Sequence, residues 1–268
     1  MRDFAGRPAW RLPGLSGRAG ASARSGYPLS RARRLAWLGA LAASGWAGAC
    51  TAAQLEASAS VDSDYQWQGL SLSDGQPAAS VAVSGDFRRG IYGSLIGVIG
   101  STERNGLKPL AYIADFGYAH RFGRDAAWDV GVVTSGVRLY ERRHYAFTYT
   151  QIYGGLAKGD LSAHLFYSPS YLGEGDGSLY LDVDGAVRPA THWRLTAHAG
   201  AFTGLRRGIG PSTPIDRARV DLRAGVVRDF GALEGHVFLT TTLPNPVYPP
   251  TGLRELSRAI VLGATYTF

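Results

Sequence analysis

The last ten residues of the chain, 259–268, alternate between two kinds of side chain up to the final residue. One face of this strand is apolar and ends on two aromatic side chains; it holds Ile260, Leu262, Ala264, Tyr266 and Phe268. The other face is small or polar, with Gly263, Thr265 and Thr267. This pattern is typical of the closing strand of an outer-membrane β-barrel, whose apolar face meets lipid. We expect Tyr266 and Phe268 to form the signal that the outer-membrane assembly machinery recognises.

The same period of two runs through the chain from about Ser58 onward and predicts about twelve strands. The first predicted strand covers Ala59–Gln68, and its apolar face holds Val61, Tyr65 and Trp67. The fourth covers Leu110–Phe122, and Leu110 lies on its apolar face. Short turns alternate with six longer connections, the pattern of short periplasmic turns and longer outer loops. The sequence therefore predicts an all-β, antiparallel, up-and-down transmembrane barrel.

A secreted β-sandwich also alternates, so it is the main alternative fold. Sandwich strands average only about 5–6 residues, whereas several segments here are long enough to cross a bilayer at a tilt. A closed barrel also leaves no unpaired strand edge in lipid. These two arguments favour the barrel.

The net charge of +7 suggests nucleic-acid binding until the charge is located. Residues 1–50 hold eight arginines and one acid, Asp3, and so carry the whole excess. The rest of the chain has 20 basic and 20 acidic residues, taken from totals of 28 and 21. A balanced remainder gives no electrostatic footprint for nucleic acid, and we expect no nucleic-acid partner.

The basic leader has the order of an export signal. Arg31–Arg34 precede an apolar stretch, Leu35–Ala49, which ends in an A-x-A site at Ala47-Gly48-Ala49. We expect an N-terminal extension and cleaved signal peptide over 1–50, a short linker over 51–57 and the barrel over 58–268. Cys50, the only cysteine, directly follows the site, so a lipid anchor at Cys50 remains an alternative to ordinary cleavage.

Four segments together resemble the TorF-like porins, a family of bacterial outer-membrane barrels. They are Ser63–Ser73 with Gln76–Ala78, Tyr149–Leu156, Gly159–Ala163 and Tyr167–Pro169. The resemblance covers roughly 58–268 and implies a barrel that acts as a channel, with no assigned solute. The chain departs from the family pattern at Gln68, where the family usually has arginine, and at Gln151, where glutamate is expected. Any charge pair between these two positions is therefore in doubt here.

The polar strand faces gather charged side chains that we predict to line the lumen. They are Asp62, Asp64, Asp115, Asp129, Asp182, Asp184, Arg194, Arg219, Asp221, Arg223, Glu234 and His236. Rings of charge in a pore set ion preference. Two interpretations stay open, because a barrel of this size lies between the filled and the water-filled types. Either these side chains line an open pore, or they pair across strands and fill a narrow lumen.

The sequence favours a passive channel for small polar solutes or ions, embedded in outer-membrane lipid. His164 shares a face with Ser162, and His236 shares one with Thr240 and Glu234, but no nucleophile–base–acid set is visible. We therefore expect no enzymatic activity and no bound cofactor or metal ion. A structural or adhesive barrel is the third class, with the loops over 243–250 and 204–214 as candidate partner-binding segments.

Overall fold

The computed structural model describes residues 52–102, 106–139, 145–171, 177–205, 218–243 and 258–268. Over these residues, twelve strands form one closed antiparallel barrel, which confirms the predicted fold class. The barrel strands are β1 (Ala52–Asp62), β4 (Ala78–Phe87), β5 (Ile91–Thr102), β6 (Gly106–Phe122), β7 (Ala126–Leu139), β8 (Tyr145–Lys158), β9 (Leu161–Ser168), β10 (Gly177–Ala190), β11 (Trp193–Leu205), β12 (Arg219–Asp229), β13 (Leu233–Leu243) and β14 (Arg258–Thr267). Two further strands, β2 (Gln66–Trp67) and β3 (Leu70–Ser71), pair only with each other. Among the described residues, no helix is long and apolar enough to cross a membrane.

The barrel closes where the first strand meets the last. β1 pairs with β14 from Ser58 opposite Thr267 to Asp62 opposite Gly263. The Phe268 backbone N–H donates a hydrogen bond to the Ala57 carbonyl at 3.0 Å. The C-terminal strand therefore pairs on both edges, since β13 occupies its other side.

The two ends of the barrel differ in their connections. One end, here the turn end, has the start of β1, the end of β14 and short links such as 88–90, 123–125 and 230–232. At the other, here the loop end, the connections are longer except between β5 and β6, where three residues join the strands. Residues 103–105, 140–144, 172–176, 206–217 and 244–257 lie outside the described part of the chain. The predicted alternation of short and long connections is present except at this β5–β6 link.

The strand faces divide as the alternation requires. Leu239, Phe116 and Ile260 are 59–65% exposed on the outer face, as expected for side chains that contact lipid rather than water. Inward-facing residues such as Gln151 and Tyr180 are 0–1% exposed. The interior is mixed, because buried apolar side chains such as Ile113 and Val133 lie inside together with the polar ones. An apolar exterior and a closed sheet are what a membrane barrel needs.

The connection between β1 and β4 folds into the barrel instead of standing above it. This segment, Ser63–Pro77, contains β2 and β3 and is here called the inner hairpin. The expected outward facing of Tyr65 and Trp67 is therefore wrong, because both side chains are buried inside, at 8% and 4% exposure. The strand ends at Asp62, and the left-handed backbone of Gln68 (φ 47°) and Gly69 (φ 75°) turns the chain back.

Two other expectations need correction. Residues 51–57, expected to be a linker, are mostly strand, since β1 begins at Ala52. Leu110, expected on the outer face, points inward with 3% exposure. Val98 pairs with Ala111 and Ile99 with Pro109, so Leu110 is the extra residue of a β-bulge, and a bulge changes facing. The predicted extension and signal peptide over 1–50, with Cys50, lie outside the described residues.

Interior aromatic side chains lie over glycines of neighbouring strands. A Cβ atom added at Gly131 would be 2.5 Å from the Tyr153 ring, and one at Gly225 would be 2.0 Å from the Phe238 ring. These glycines leave room for large side chains in the lumen. They also explain part of the high glycine content of the chain, 36 residues.

Candidate functional site

All twelve predicted lumen residues lie in the described part of the chain, and the structure turns them toward the barrel interior. Asp64 differs from the others because it belongs to the inner hairpin rather than to a strand. Asp62 and Asp64 therefore do not form a same-face pair, whereas Asp182 and Asp184 do. Whether these residues line an open pore stays a prediction.

A first group of lumen side chains joins five consecutive strands, β5–β9. The Tyr92 hydroxyl is 2.9 Å from Asp129 and 2.6 Å from the Tyr153 hydroxyl. Tyr153 in turn donates to Asp115 at 2.7 Å. On the far side, His164 Nε2 lies 3.3 Å from Asp129. The two carboxylates thus have tyrosine and imidazole partners, and this network links five neighbouring strands along one side of the lumen.

A second group, the β10–β12 cluster, contains Asp182, Asp184, His198, Asp221 and Arg223. His198 lies at its centre: Nδ1 is 3.0 Å from Asp184 and 3.5 Å from Asp182, and Nε2 is 2.9 Å from Asp221. Arg223 is more distant, with Nη2 3.7 Å from Asp184. Three carboxylates therefore surround one imidazole, with one guanidinium at the edge.

The remaining charged lumen residues have partners on other strands. His236 Nε2 lies 2.7 Å from Asp62, and Arg194 Nη2 lies 3.1 Å from Glu234. Arg219, 1% exposed, stacks its guanidinium 3.8 Å from the centre of the Phe202 ring.

The inner hairpin is fastened to the barrel wall by hydrogen bonds to β8 and β13. Trp67 Nε1 donates to the Tyr149 hydroxyl at 2.9 Å, and Gln68 Nε2 donates to Gln151 Oε1 at 3.0 Å. On the opposite side, Gln66 Nε2 donates to the Thr240 hydroxyl at 3.1 Å.

Asp64 organises the inner hairpin from within. Its carboxylate accepts hydrogen bonds from the hydroxyls of Ser71 and Ser73 and from the Gly75 backbone N–H at 3.2 Å. A carboxylate that accepts several hydrogen bonds holds a tight turn together. The inner hairpin is therefore a folded element rather than a loose loop.

A small cavity remains between the inner hairpin and the β10–β12 cluster. Its lining includes Gln66 and Gln68 of the hairpin and Tyr180, His198 and Asp221 of the wall. Its volume of about 30 Å³ has room for one or two water molecules. The β10–β12 cluster is thus next to a space that water can occupy.

Sequence reasoning missed three residues of the site. His198, Tyr92 and Tyr153 were not among the predicted lumen residues, although strand alternation places their side chains inside. Their partners lie on strands distant in sequence, so strand register, not local pattern, brings them together. The candidate partner-binding loops, 243–250 and 204–214, fall largely outside the described residues.

Comparison with known proteins places the fold among outer-membrane barrels. A NanC porin structure matches with a TM-score of 0.51 at 12% identity, covering 80% of this chain and 99% of that one. A KdgM porin gives 0.47 at 10% identity with 80% and 99% covered, and the outer membrane channel DcaP of Acinetobacter baumannii gives 0.40 at 10% with 80% and 96% covered. At such identities the first match supports a porin-like fold and no more.

No curated protein matches the sequence. A family model described as "Bacterial protein of unknown function (Gcw_chp)" matches residues 46–248. This description assigns no function, so the resemblance to the TorF-like porins stays a prediction. The chain belongs to the Gcw_chp family of bacterial proteins.

Proposed function

We propose that this protein is an outer-membrane channel for the passive diffusion of small polar solutes or ions. The observation that carries the proposal is the closed barrel, apolar outside, whose interior holds the β5–β9 network and the β10–β12 cluster of charged side chains beside an apolar cluster around the inner hairpin. Charged and polar side chains in a lumen suit water and hydrated solutes. The similarity of the fold to the NanC porin supports the same proposal.

The inner hairpin sets the size of solute that we expect. It occupies the loop-end half of the lumen and contacts β8 on one side and β13 on the other. The cavity between it and the β10–β12 cluster is small. We therefore infer a narrow passage for ions and the smallest polar solutes, rather than a wide general pore.

The lumen charges favour cations. The predicted lumen residues include eight carboxylates against three arginines and one histidine, and His164 and His198 add two more imidazoles. A net negative charge remains even with all three imidazoles protonated. Acidic side chains along a pore attract cations and repel anions.

Residence in the outer membrane follows from the same proposal. The leader over 1–50 would direct export, and the assembly machinery would recognise Tyr266 and Phe268 at the end of β14. Phe268 is 77% exposed on the barrel exterior and its ring lies edge-on to Tyr266 at 5.1 Å. The loop end would then face the cell exterior and the turn end the periplasm.

Conductance across a planar lipid bilayer tests the channel. We expect purified, refolded protein to give stepwise openings of uniform size. A bilayer that stays sealed with the protein inserted would contradict the proposal. Insertion is checked separately by the heat-modifiable gel migration typical of folded barrels.

A structural or adhesive barrel with a filled lumen is the second candidate. The inner hairpin and the cross-strand networks favour it, because they occupy space that a solute needs. A sealed bilayer containing heat-modifiable protein would support this alternative.

A further inference from the structure

The β10–β12 cluster brings three potential metal ligands together on the lumen wall. One ligand atom from each of Asp182, Asp184 and His198 lies within 4.8 Å of the other two. The sheet register explains this approach. Asp184 is directly opposite His198, and Asp182, two residues earlier on β10, lies on the same face. The three side chains therefore converge on one point from two neighbouring strands.

Asp221 orients the imidazole from the third strand. It lies 2.9 Å from His198 Nε2, while His198 Nδ1 faces Asp184 at 3.0 Å and Asp182 at 3.5 Å. When Nε2 carries the proton and donates it to Asp221, the Nδ1 lone pair points at the two other carboxylates. A carboxylate that accepts the second ring N–H is the usual support of a metal-binding histidine.

An independent observation concerns one oxygen of Asp182. This residue is 4% exposed, and its Oδ1 atom makes no hydrogen bond among the described residues; the ion-pair contact of this atom is His198 Nδ1, at 3.5 Å. A buried carboxylate oxygen without a donor is costly. The atom belongs to the converging set, so a bound cation would satisfy it directly.

The local charge balance also calls for a cation. Asp182, Asp184 and Asp221 carry three negative charges, and Arg223 supplies one positive charge at the edge of the cluster, 3.7 Å from Asp184. The three carboxylates outnumber the guanidinium and the imidazole of the cluster. A divalent cation between the ligands offsets this excess of negative charge.

We propose that Asp182, Asp184 and His198 bind one divalent first-row transition-metal ion, such as Zn²⁺ or Mn²⁺, with Asp221 as the positioning residue. Two carboxylates and one imidazole form a donor set suited to these ions. Ca²⁺ prefers six to eight oxygen ligands, which three protein side chains do not supply. A cavity lined by His198 and Asp221 lies next to the cluster, on the side of the positioning residue.

Isothermal titration calorimetry with Zn²⁺ tests the site on the full-length chain refolded in detergent. Cys50 is alkylated so that its thiol does not bind the ion. We expect one Zn²⁺ per barrel, unaffected by excess Ca²⁺. Asp182→Asn, Asp184→Asn and His198→Gln should each lower the affinity about 100-fold or more, and Asp221→Asn about 10–100-fold.

Asp129→Asn is the matched control. Asp129 is also buried, at 2% exposure, and also contacts a histidine, His164, but it lies outside the proposed ligand set. This variant should bind Zn²⁺ with the same affinity as the Cys50-alkylated protein without substitutions. Only variants that keep heat-modifiable migration are compared, and any one folded ligand variant suffices for the comparison.

Two outcomes would overturn the proposal. The first is that the Cys50-alkylated protein without substitutions binds neither Zn²⁺ nor Mn²⁺ at one ion per barrel. The second is a folded ligand variant that binds as tightly as the control. Binding is measured in detergent and does not depend on conduction. A barrel that binds the ion but passes no current would therefore contradict the proposed function and leave this inference standing.

Discussion

Gln68 of the inner hairpin donates a hydrogen bond from Nε2 to Oε1 of Gln151 on β8, at 3.0 Å. These are the two positions at which the sequence departs from the TorF-like pattern of arginine and glutamate, and the fold brings them into contact. Both are buried, at 8% and 0% exposure. The Gln68 Oε1 and Gln151 Nε2 atoms have no hydrogen-bond partner among the described residues. One amide hydrogen bond thus occupies a position that suits an ion pair.

Restoring the charges should therefore show coupling between these two positions. Gln151→Glu alone places a carboxylate in a buried site opposite an amide, and we expect it to lower the free energy of unfolding by about 3 kcal/mol. Adding Gln68→Arg should recover most of that loss, because the guanidinium pairs with the new carboxylate. Urea unfolding of the protein in lipid vesicles measures both values. Additive effects of the two substitutions would mean that the hairpin does not dock on β8 in this way.

Trp67→Ala should widen the passage. The Trp67 ring is buried in the lumen and its Nε1 donates to Tyr149 at 2.9 Å, so truncation removes both bulk and one fastening of the inner hairpin. We expect a larger single-channel conductance in a planar bilayer. Trp128→Ala is the control, since Trp128 is on the outer face with 36% exposure. An unchanged conductance in Trp67→Ala would place the narrowest point elsewhere.

Gly225→Ala should destabilise the barrel by about 1–3 kcal/mol, the usual cost of overpacking. The added methyl group would lie 2.0 Å from the Phe238 ring and 2.9 Å from the Val237 carbonyl oxygen. Gly97→Ala is the matched control, because a Cβ atom there has no neighbour within 4 Å. Urea unfolding followed by tryptophan fluorescence compares the two variants. Equal stabilities would show that the Phe238 ring moves aside at little cost.

Deletion of Phe268 should reduce insertion into the outer membrane, because the strand then loses its terminal aromatic. The backbone contact from Phe268 to Ala57 also disappears. Phe230→Ala serves as control, since Phe230 is an exposed aromatic, at 58%, at the same turn end. The amount of heat-modifiable barrel in isolated outer membranes is the readout. Equal amounts for both variants would mean that the aromatic end is incidental to assembly.

The sequence predicted the barrel because strand facing is a local property. On β9–β14 the period of two assigns the inward side chains, among them Asp182, Arg194 and Glu234, and the structure places them there. The closing strand met the same expectation, with Tyr266 outward and Thr265 inward. Alternation is enough wherever a strand is regular and one of its faces is apolar.

The failures lie where the chain departs from regular strand. Leu110 changed face because of a β-bulge, and Trp67 moved inside because the chain leaves the sheet after Asp62. The alternating sequence pattern is the same as that of a regular strand in both cases. The local sequence does not show that a strand contains a bulge or that the segment folds into the lumen. His198, the centre of the β10–β12 cluster, was missed for a related reason, because it meets Asp221 only through the register of β11 and β12.

The reversal potential of single channels under a KCl gradient tests the central claim most directly. It reports whether the barrel conducts and which sign of ion its lumen prefers. The lumen has more carboxylates than cationic side chains. We therefore expect a reversal potential with the sign of the K⁺ Nernst potential and close to its value. A reversal potential on the Cl⁻ side, or inserted and heat-modifiable protein that passes no current, would contradict a narrow, acid-lined channel.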